Sequence, residues 1–214
     1  MPRSAELSRR QILDAAYELF YRKGFNRVGV DEVAAFAGLT KRTLYYHFPS
    51  KDDLLGGVLA LQSELSVLRI RKYEKRYSGS ATEIIDVLFS ELEKWSAKPG
   101  WTGAGFTRIV MELADLPGHP ARTIARRHKV AVEAWYASLL ERAGVAAPLE
   151  RAREVALLLE GATVQVLIHG NRAYVKAASE AAKKLVSRSL PTTSVPSRQR
   201  VVSGRSSTRR QHWG

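Results

Sequence analysis

The residues with the clearest binding chemistry lie in one short basic and aromatic segment. Residues 40–47 read Thr-Lys-Arg-Thr-Leu-Tyr-Tyr-His, and every side chain except Leu44 carries a hydrogen-bonding group, with no carboxylate among them. Hydroxyl, ammonium and guanidinium donors suit phosphate oxygens and base edges. Lys51 follows at the predicted start of another helix, where its charge adds to amides that point outward. The segment predicts nucleic-acid binding, although an ordinary solvated helix face has a similar composition.

Catalytic and metal-binding chemistry finds no support in the sequence. The chain has no cysteine, which excludes disulfides, thiol nucleophiles and thiolate metal sites. The histidines show no metal-ligand spacing, and the glycine-rich residues 100–105 match neither a dinucleotide-binding nor a Walker pattern. We therefore predict that the protein is not an enzyme and has no cofactor and no metal site.

Two short helices joined by a tight turn are predicted to position the basic segment. Apolar spacing indicates a helix over about residues 30–37 that ends at Gly38, which permits the left-handed backbone of a tight turn. The next helix covers about residues 41–47, with Thr40 as its cap, and Pro49 forces the residue before it out of helical geometry. The pair forms a helix-turn-helix whose second helix is small enough to enter a major groove.

Longer helices are predicted on each side of this motif. Ser8 and Gln11 have the spacing of a capping box, so we expect the first helix to begin there and to stop at Gly24. Residues 50–53 form a second capping box, and the helix behind it runs to about Arg76. We expect the remaining helices at about residues 82–97, 107–116, 120–143, 149–168 and 173–188. No strand pattern appears between them, so the predicted fold class is all-α.

Charge and composition separate the C-terminal end from the rest. The net charge of +13 calls for a polyanionic partner, either nucleic acid or an anionic membrane, and a 45% hydrophobic content can fill a core. From Ser187 onward there are six arginines and no acidic residue, and Ser, Thr and Pro are frequent, which predicts disorder. We divide the chain into a three-helix helix-turn-helix domain (residues 1–52), a larger helical domain (53–188) and a basic disordered tail (189–214).

No segment predicts export or membrane insertion. The first residues lack the apolar run of a signal peptide. The most apolar stretch, residues 155–168, is interrupted by Glu160 and Gln165, so it does not predict a membrane span. These observations favour a cytoplasmic protein without a membrane partner.

A long motif around the basic segment resembles a known family. The run from Gly38 to Leu55, Gly-Leu-Thr-Lys-Arg-Thr-Leu-Tyr-Tyr-His-Phe-Pro-Ser-Lys-Asp-Asp-Leu-Leu, is similar to the signature of the tetracycline-repressor (TetR) family. The similarity extends back to the first helix and is strong over about residues 8–56. Residues 111–120 and 157–162 resemble, more weakly, stretches of the effector domain of such regulators.

This resemblance implies a ligand-responsive repressor that acts as a homodimer. Each N-terminal domain would place its third helix in a major groove of a palindromic double-stranded DNA operator, and a small-molecule effector would release the protein. The family positions that contact DNA, mostly at phosphate, correspond to Thr40, Lys41, Thr43, Tyr45, Tyr46, His47 and Lys51.

Two positions depart from the family pattern. Arg42 stands where the family often has a small residue, and because a guanidinium can reach a guanine edge we expect Arg42 to bind DNA by reading a base. Gly29 and Val30 stand where Ser or Thr is common, so only backbone amides remain there for a phosphate contact.

The resemblance also implies that residues 53–188 bind the effector and form the dimer. Aromatic walls suit a ligand cavity, although the same residues would also suit a core. The pocket candidates are Trp95, Trp101, Phe106, Met111, Glu112, Trp135 and Tyr136. The helix at about residues 149–168 is more apolar than one buried face requires. The dimer-interface candidates are Leu158, Gly161, Ala162, Gln165 and Ile168.

Other functions of the basic regions stay open at this point. The chain would be a nucleoid or accessory DNA-binding protein if its tail supplied sequence-independent affinity. The tail would also suit an anionic membrane surface. The chemistry of the effector does not follow from the sequence, since Glu112 would face either a cationic effector or solvent.

Overall fold

The fold is a succession of helices, which confirms the all-α prediction. The computed structural model describes residues 2–188, apart from the side chains of residues 2–3 and 70–75, so the predicted tail lies outside the described residues. A 3₁₀ turn, Glu74–Tyr77, separates the fourth helix from the fifth. The helices are α1 (Pro2–Lys23), α2 (Val30–Phe36), α3 (Lys41–His47), α4 (Lys51–Tyr73), α5 (Ala81–Ser96), α6 (Gly105–Glu112), α7 (Pro120–Arg142), α8 (Pro148–His169) and α9 (Ala173–Arg188).

The start of α1 differs from the prediction. The helix begins at Pro2 rather than at Ser8, and proline suits a first helical turn because the missing amide hydrogen has no intrahelical acceptor there. Ser8 is therefore not a cap. Its hydroxyl instead donates to the Ala5 carbonyl at 3.0 Å, a bond made inside the helix.

The helix-turn-helix forms as predicted. Gly38 adopts a φ of +68°, the left-handed geometry that the turn needs. The Thr40 hydroxyl caps α3 by accepting the Thr43 amide at 3.1 Å. On the inner side of α3, Leu44 and Phe48 are buried in the core shared by α1, α2 and α4. Since α3 is packed along one side only, its other side faces outward.

The apolar core of the N-terminal helices extends past residue 52. Leu54 and Leu55 of α4 are fully buried in it, and Ile109 of α6 and Leu113 just after α6 are buried in it as well. Besides α4, α6 thus contributes to this core, although it lies more than fifty residues after the helix-turn-helix in sequence. This packing gives α6 a direct mechanical connection to α1.

A second core holds the larger part of the molecule together. It is formed by α5, α7, α8 and α9, with Ile85, Leu139, Val155 and Ala182 fully buried. Within the described residues, no helix is long and apolar enough to cross a membrane.

The end of α6 also differs from the prediction. It stops at Glu112 rather than near Leu116, and tight turns follow in which the Leu116 amide donates to the Leu113 carbonyl at 3.1 Å.

Candidate nucleic-acid interface and ligand cavity

The outward side of α3 carries most of the predicted DNA-binding residues. Tyr46 is 78% exposed, so its ring does not serve to pack α3 against the protein. Thr43 is half-buried and its hydroxyl lies 2.9 Å from that of Thr40, so both hydroxyls take part in capping. We call the exposed set the reading face, and it consists of Thr40, Lys41, Arg42, Tyr45 and Tyr46.

Lys41 is not free on this face. Its ammonium lies 2.8 Å from a carboxylate oxygen of Asp31 on α2, and this hydrogen-bonded ion pair raises the pKa of Lys41. Arg42 has no ion pair or hydrogen bond within the described residues. The composition of α3 alone does not reveal this ion pair, because Asp31 belongs to the other helix of the motif, ten residues earlier.

Two predicted DNA-binding residues pack against the protein. The His47 ring is half-buried, and its Nε2 lies 2.8 Å from the Ser8 hydroxyl, which connects α3 to α1. The Lys51 ammonium lies 4.2 Å from the centre of the Phe25 ring, and burial lowers the pKa of Lys51. Neither belongs to the reading face.

A cavity of about 260 Å³ lies between α1, α4, α6 and α7. Three of the predicted pocket residues, Trp95, Phe106 and Glu112, line it. Its remaining wall is formed by Tyr17, Phe20, Tyr21, Leu55, Val58, Leu59, Gln62, Ser66, Arg69, Ala104, Gly105, Arg108, Ile109, His128 and Lys129. We call it the α1–α6 cavity.

The other predicted pocket residues do not line the α1–α6 cavity. Trp101 packs edge-on against Trp95 at 5.5 Å between ring centres, on the side of the second core. Trp135 and Tyr136 also pack against the second core, where burial raises the pKa of Tyr136. Met111 is 63% exposed and lies outside the α1–α6 cavity. Aromatic type alone did not separate wall residues from core residues.

Among the described residues, five hydrogen bonds connect the α6 region to the N-terminal helices, and we call the three shortest of them the clamp. The Arg108 guanidinium donates to the Tyr21 carbonyl at 2.6 Å, and the Thr102 hydroxyl donates to the same oxygen at 2.9 Å. The backbone amide of Asn26 donates to the Glu112 carboxylate at 3.0 Å. Because these partners are about eighty residues apart, only the folded structure reveals them.

His128 closes the α7 side of the cavity. Its ring stacks on Phe106 with 3.9 Å between ring centres, and its Nδ1 lies 3.1 Å from the Ser63 hydroxyl. Burial, and then the charge of Lys129, lower the pKa of His128. The ring is therefore a neutral aromatic wall at neutral pH.

The candidate dimer residues divide between the surface and the core of α8. Gly161, Gln165 and Ile168 are exposed, and Leu158 is half-buried. Ala162 is buried in the protomer's own core, so it does not belong to the surface set. Leu157 is 69% exposed beside them, and the sequence argument missed it.

Known proteins similar to this chain share the helix-turn-helix. The family model described as bacterial regulatory proteins of the tetR family matches residues 12–58. The transcriptional regulator AcrR of Shigella flexneri is 31% identical over 91 residues, which are 42% of each protein. The uncharacterized regulator TtgW of Pseudomonas putida is 30% identical over 93 residues, which are 42% of this chain and 69% of TtgW. The chain spans less than half the length of the first curated relatives it matches.

Solved structures resemble almost the whole described chain. SCO4454, a TetR-family transcriptional regulator of Streptomyces coelicolor, superposes with a TM-score of 0.75 at 24% identity, covering 84% of this chain and 96% of that one. A putative tetR transcriptional regulator of Streptomyces avermitilis gives a TM-score of 0.67 at 28% identity, covering 82% and 97%.

Fold and site together define the class of helix-turn-helix transcriptional regulators. In this chain a capped α3 with an outward polar side precedes a larger all-helical part, and the solved structures share the overall fold. The chain belongs to the TetR family, as its match to the family model and its similarity to TtgW show.

Proposed function

We propose that this chain is a dimeric repressor that leaves a palindromic operator when a small-molecule effector binds. The observation that carries this proposal is the reading face of α3. Leu44 and Phe48 fix the helix on its inner side, so its exposed cationic and tyrosine side chains are held ready for a major groove. Lys51 and His47 would support this contact from the protein side and reach phosphate only after a local rearrangement.

The dimer is proposed to form through α8 and α9. Leu157 and Ile168 are large apolar side chains that are more than half exposed, and Gly161 between them allows a second helix to approach closely. A two-fold pair of protomers would place two α3 helices about 34–36 Å apart or farther, which matches successive major grooves.

Effector release is proposed to act through the α1–α6 cavity. Tyr17, Phe20 and Tyr21 of α1 line it, so a ligand inside it touches the helix on which α3 packs. If effector and operator favour different positions of α1, each weakens the binding of the other by the same factor.

Selection of DNA by the purified full-length protein tests this function. Duplexes with a random core are bound, recovered and sequenced, and the enriched sequence is then titrated in a gel-shift assay. We expect an inverted repeat to be enriched. Recovered duplexes that remain random would contradict the proposal.

A second function is favoured by one sequence observation. From Ser187 onward the chain has six arginines and no acidic residue. Such a segment would give sequence-independent affinity for DNA, as an accessory DNA-binding protein requires. We propose it as an addition to operator binding, and the tail deletion considered in the Discussion separates the two contributions.

A further inference from the structure

We propose that the effector is an amphipathic anion, with a flat apolar body and one acidic group, that binds in the α1–α6 cavity. Its acidic group would bind Arg69 and Arg108, and its body would lie between the aromatic side chains of α1 and α6. This inference rests on the proposed function, because it names the chemistry of the ligand that the regulator would sense.

Positive charge exceeds negative charge on the cavity wall. Among the lining residues that the structure describes, Arg69, Arg108 and Lys129 are cationic, and Glu112 is the one carboxylate. In a partly enclosed site such an excess favours an anion, since charges there are screened less than on an open surface. The wall alone therefore argues against a cationic effector.

The carboxylate on the wall is already engaged. Glu112 accepts the backbone amide of Asn26 at 3.0 Å, so a cationic ligand would compete with that bond. Lys129 is likewise engaged, because its ammonium binds the carboxylate of Glu160. The same carboxylate accepts the Thr107 hydroxyl at 2.7 Å, which holds it in place. Because Glu112 and Lys129 are both engaged, Arg69 and Arg108 are the charged groups that a ligand would bind.

The two arginines retain unused donors. Arg69 makes no ion pair or hydrogen bond with any residue that the structure describes. Arg108 donates through Nη1 alone, to the Tyr21 carbonyl and to Thr102, and these oxygens are uncharged. Its charge is not neutralised, and its Nε and Nη2 are left for an acceptor. A carboxylate or a similar planar acid matches such a pair of donors.

The rest of the wall suits a flat apolar body. Tyr17 and Tyr21 stack at 5.8 Å between ring centres, Phe106 stacks on His128 at 3.9 Å, and all four rings line the cavity. Trp95 and Leu59 complete an apolar wall around a volume of about 260 Å³, enough for two fused rings with one substituent.

This assignment connects ligand binding to the clamp. An acid group that binds Nε and Nη2 of Arg108 would reorient the same guanidinium whose Nη1 donates to the Tyr21 carbonyl, and would thereby weaken that bond. Because Tyr21 lies near the end of α1, the ligand would loosen α6 from the helix that supports α3. Anion binding thereby gives the effector a different affinity for the clamped and unclamped forms.

A matched set of probes tests the charge of the ligand. 2-Naphthoate, 2-naphthamide and 2-naphthylmethylammonium share one apolar body and differ in the charge of the substituent. Their binding to the full-length protein is measured by isothermal titration calorimetry without DNA. We expect naphthoate to bind roughly tenfold more tightly than the amide, as one charge-assisted hydrogen bond provides, and the ammonium to bind most weakly. Equal affinities, tightest binding of the ammonium, or no binding of any probe would overturn the assignment.

Two substitutions test the location of the acid group. Arg69→Gln should lower the naphthoate-to-amide ratio several-fold, since Arg108 alone is left to bind the acid group, while amide binding persists and shows that the variant is folded. Arg127→Gln removes the same charge from an exposed position of α7 outside the cavity and should leave the ratio unchanged. An unchanged ratio in Arg69→Gln, or an equal loss in both variants, would overturn the assignment.

The result of the ligand titration and the result of the DNA selection can be distinguished. A preference for naphthoate without selection of an inverted repeat would contradict the regulator and keep the anion site. Selection of an inverted repeat without a preference for naphthoate would keep the regulator and overturn the anion site.

Discussion

Lys41 and Arg42 are neighbours in sequence and differ in what they bind. Lys41 is paired with Asp31, whereas Arg42 is exposed and without a partner among the described residues. An unpaired guanidinium can bind the O6 and N7 atoms of guanine together, while a paired ammonium retains a weaker attraction for phosphate. That Arg42 reads a base stays our prediction, and the exposure of its side chain leaves the guanidinium free to make the contact.

Replacement of Arg42 should reduce affinity at one base pair of the operator. For Arg42→Ala we expect a loss of about 1–3 kcal/mol at that base pair and little effect of the other positions. The measurement is competition binding over all single-base variants of the selected operator, with Lys41→Ala as the matched control. A uniform loss over all variants would assign Arg42 to phosphate.

His128 should make the protein less stable in mild acid. Its pKa is lowered in the folded state, mainly by burial, so the unfolded chain takes up a proton first as the pH falls below about 6.5. This contribution to the free energy of unfolding is full above that pH and is lost below it. Urea unfolding at pH 7.5 and 5.5 checks the prediction, because the midpoint of the wild type should fall further than that of His128→Gln. Equal falls would show that His128 is not the responsible group.

At the scale of elements, the contact of α4 with α1 and α3 depends on a glycine. A Cβ atom at Gly57 would lie 2.9 Å from a ring carbon of Phe48 and 3.0 Å from a methyl group of Leu13. At the adjacent Gly56 it would meet only Ile124, at an ordinary 3.6 Å. The two positions share a helix and differ in packing.

Alanine at these two positions should have opposite effects. Gly56→Ala should raise the free energy of unfolding by up to about 1 kcal/mol, because alanine loses less backbone entropy in a helix. Gly57→Ala should lower it by about 1–3 kcal/mol, because Phe48 must move. Urea unfolding measures both, and similar stabilities of the two variants would contradict the close packing of α4.

Sequence signals within a few residues predicted where helices and turns form better than they predicted the contacts between distant helices. Gly38, Thr40 and Pro49 fix the helix-turn-helix from within a few residues, so its geometry could be predicted. The start of α1 could not, because the Ser8 hydroxyl can donate to a carbonyl inside the helix as well as accept an amide at a cap. The pairing of Lys41 with Asp31 and the walls of the cavity depend on how distant elements pack, which the spacing of residues does not encode.

At the scale of the whole molecule, the clamp connects its two parts. If the hydrogen bond from Asn26 to Glu112 holds α6 to the N-terminal helices, its loss should make the backbone amides near Asn26 exchange faster with solvent. Glu112→Ala should speed amide hydrogen exchange in peptides that cover residues 21–28. Asp115→Ala, an exposed carboxylate three residues later, is the matched control. Equal exchange in both variants would remove Glu112 from the clamp.

The basic tail should add affinity without adding specificity. Deletion of residues 189–214 removes five arginines, and we expect weaker binding to random DNA and a shallower dependence on salt. A full-length variant with the same arginines changed to glutamine controls for chain length. If the affinity of both variants for random DNA depends on salt as steeply as that of the wild type, the tail has another role.

The central claim is that two copies of α3 read one inverted repeat. Its most direct test compares the dissociation constants of the full-length protein for three duplexes at physiological salt, namely the selected repeat, the same repeat with one half scrambled, and a fully scrambled sequence. We predict that the intact repeat binds about 10³-fold or more tightly than the scrambled duplex, and that scrambling one half removes most of this preference. Equal binding of the three duplexes would contradict the claim.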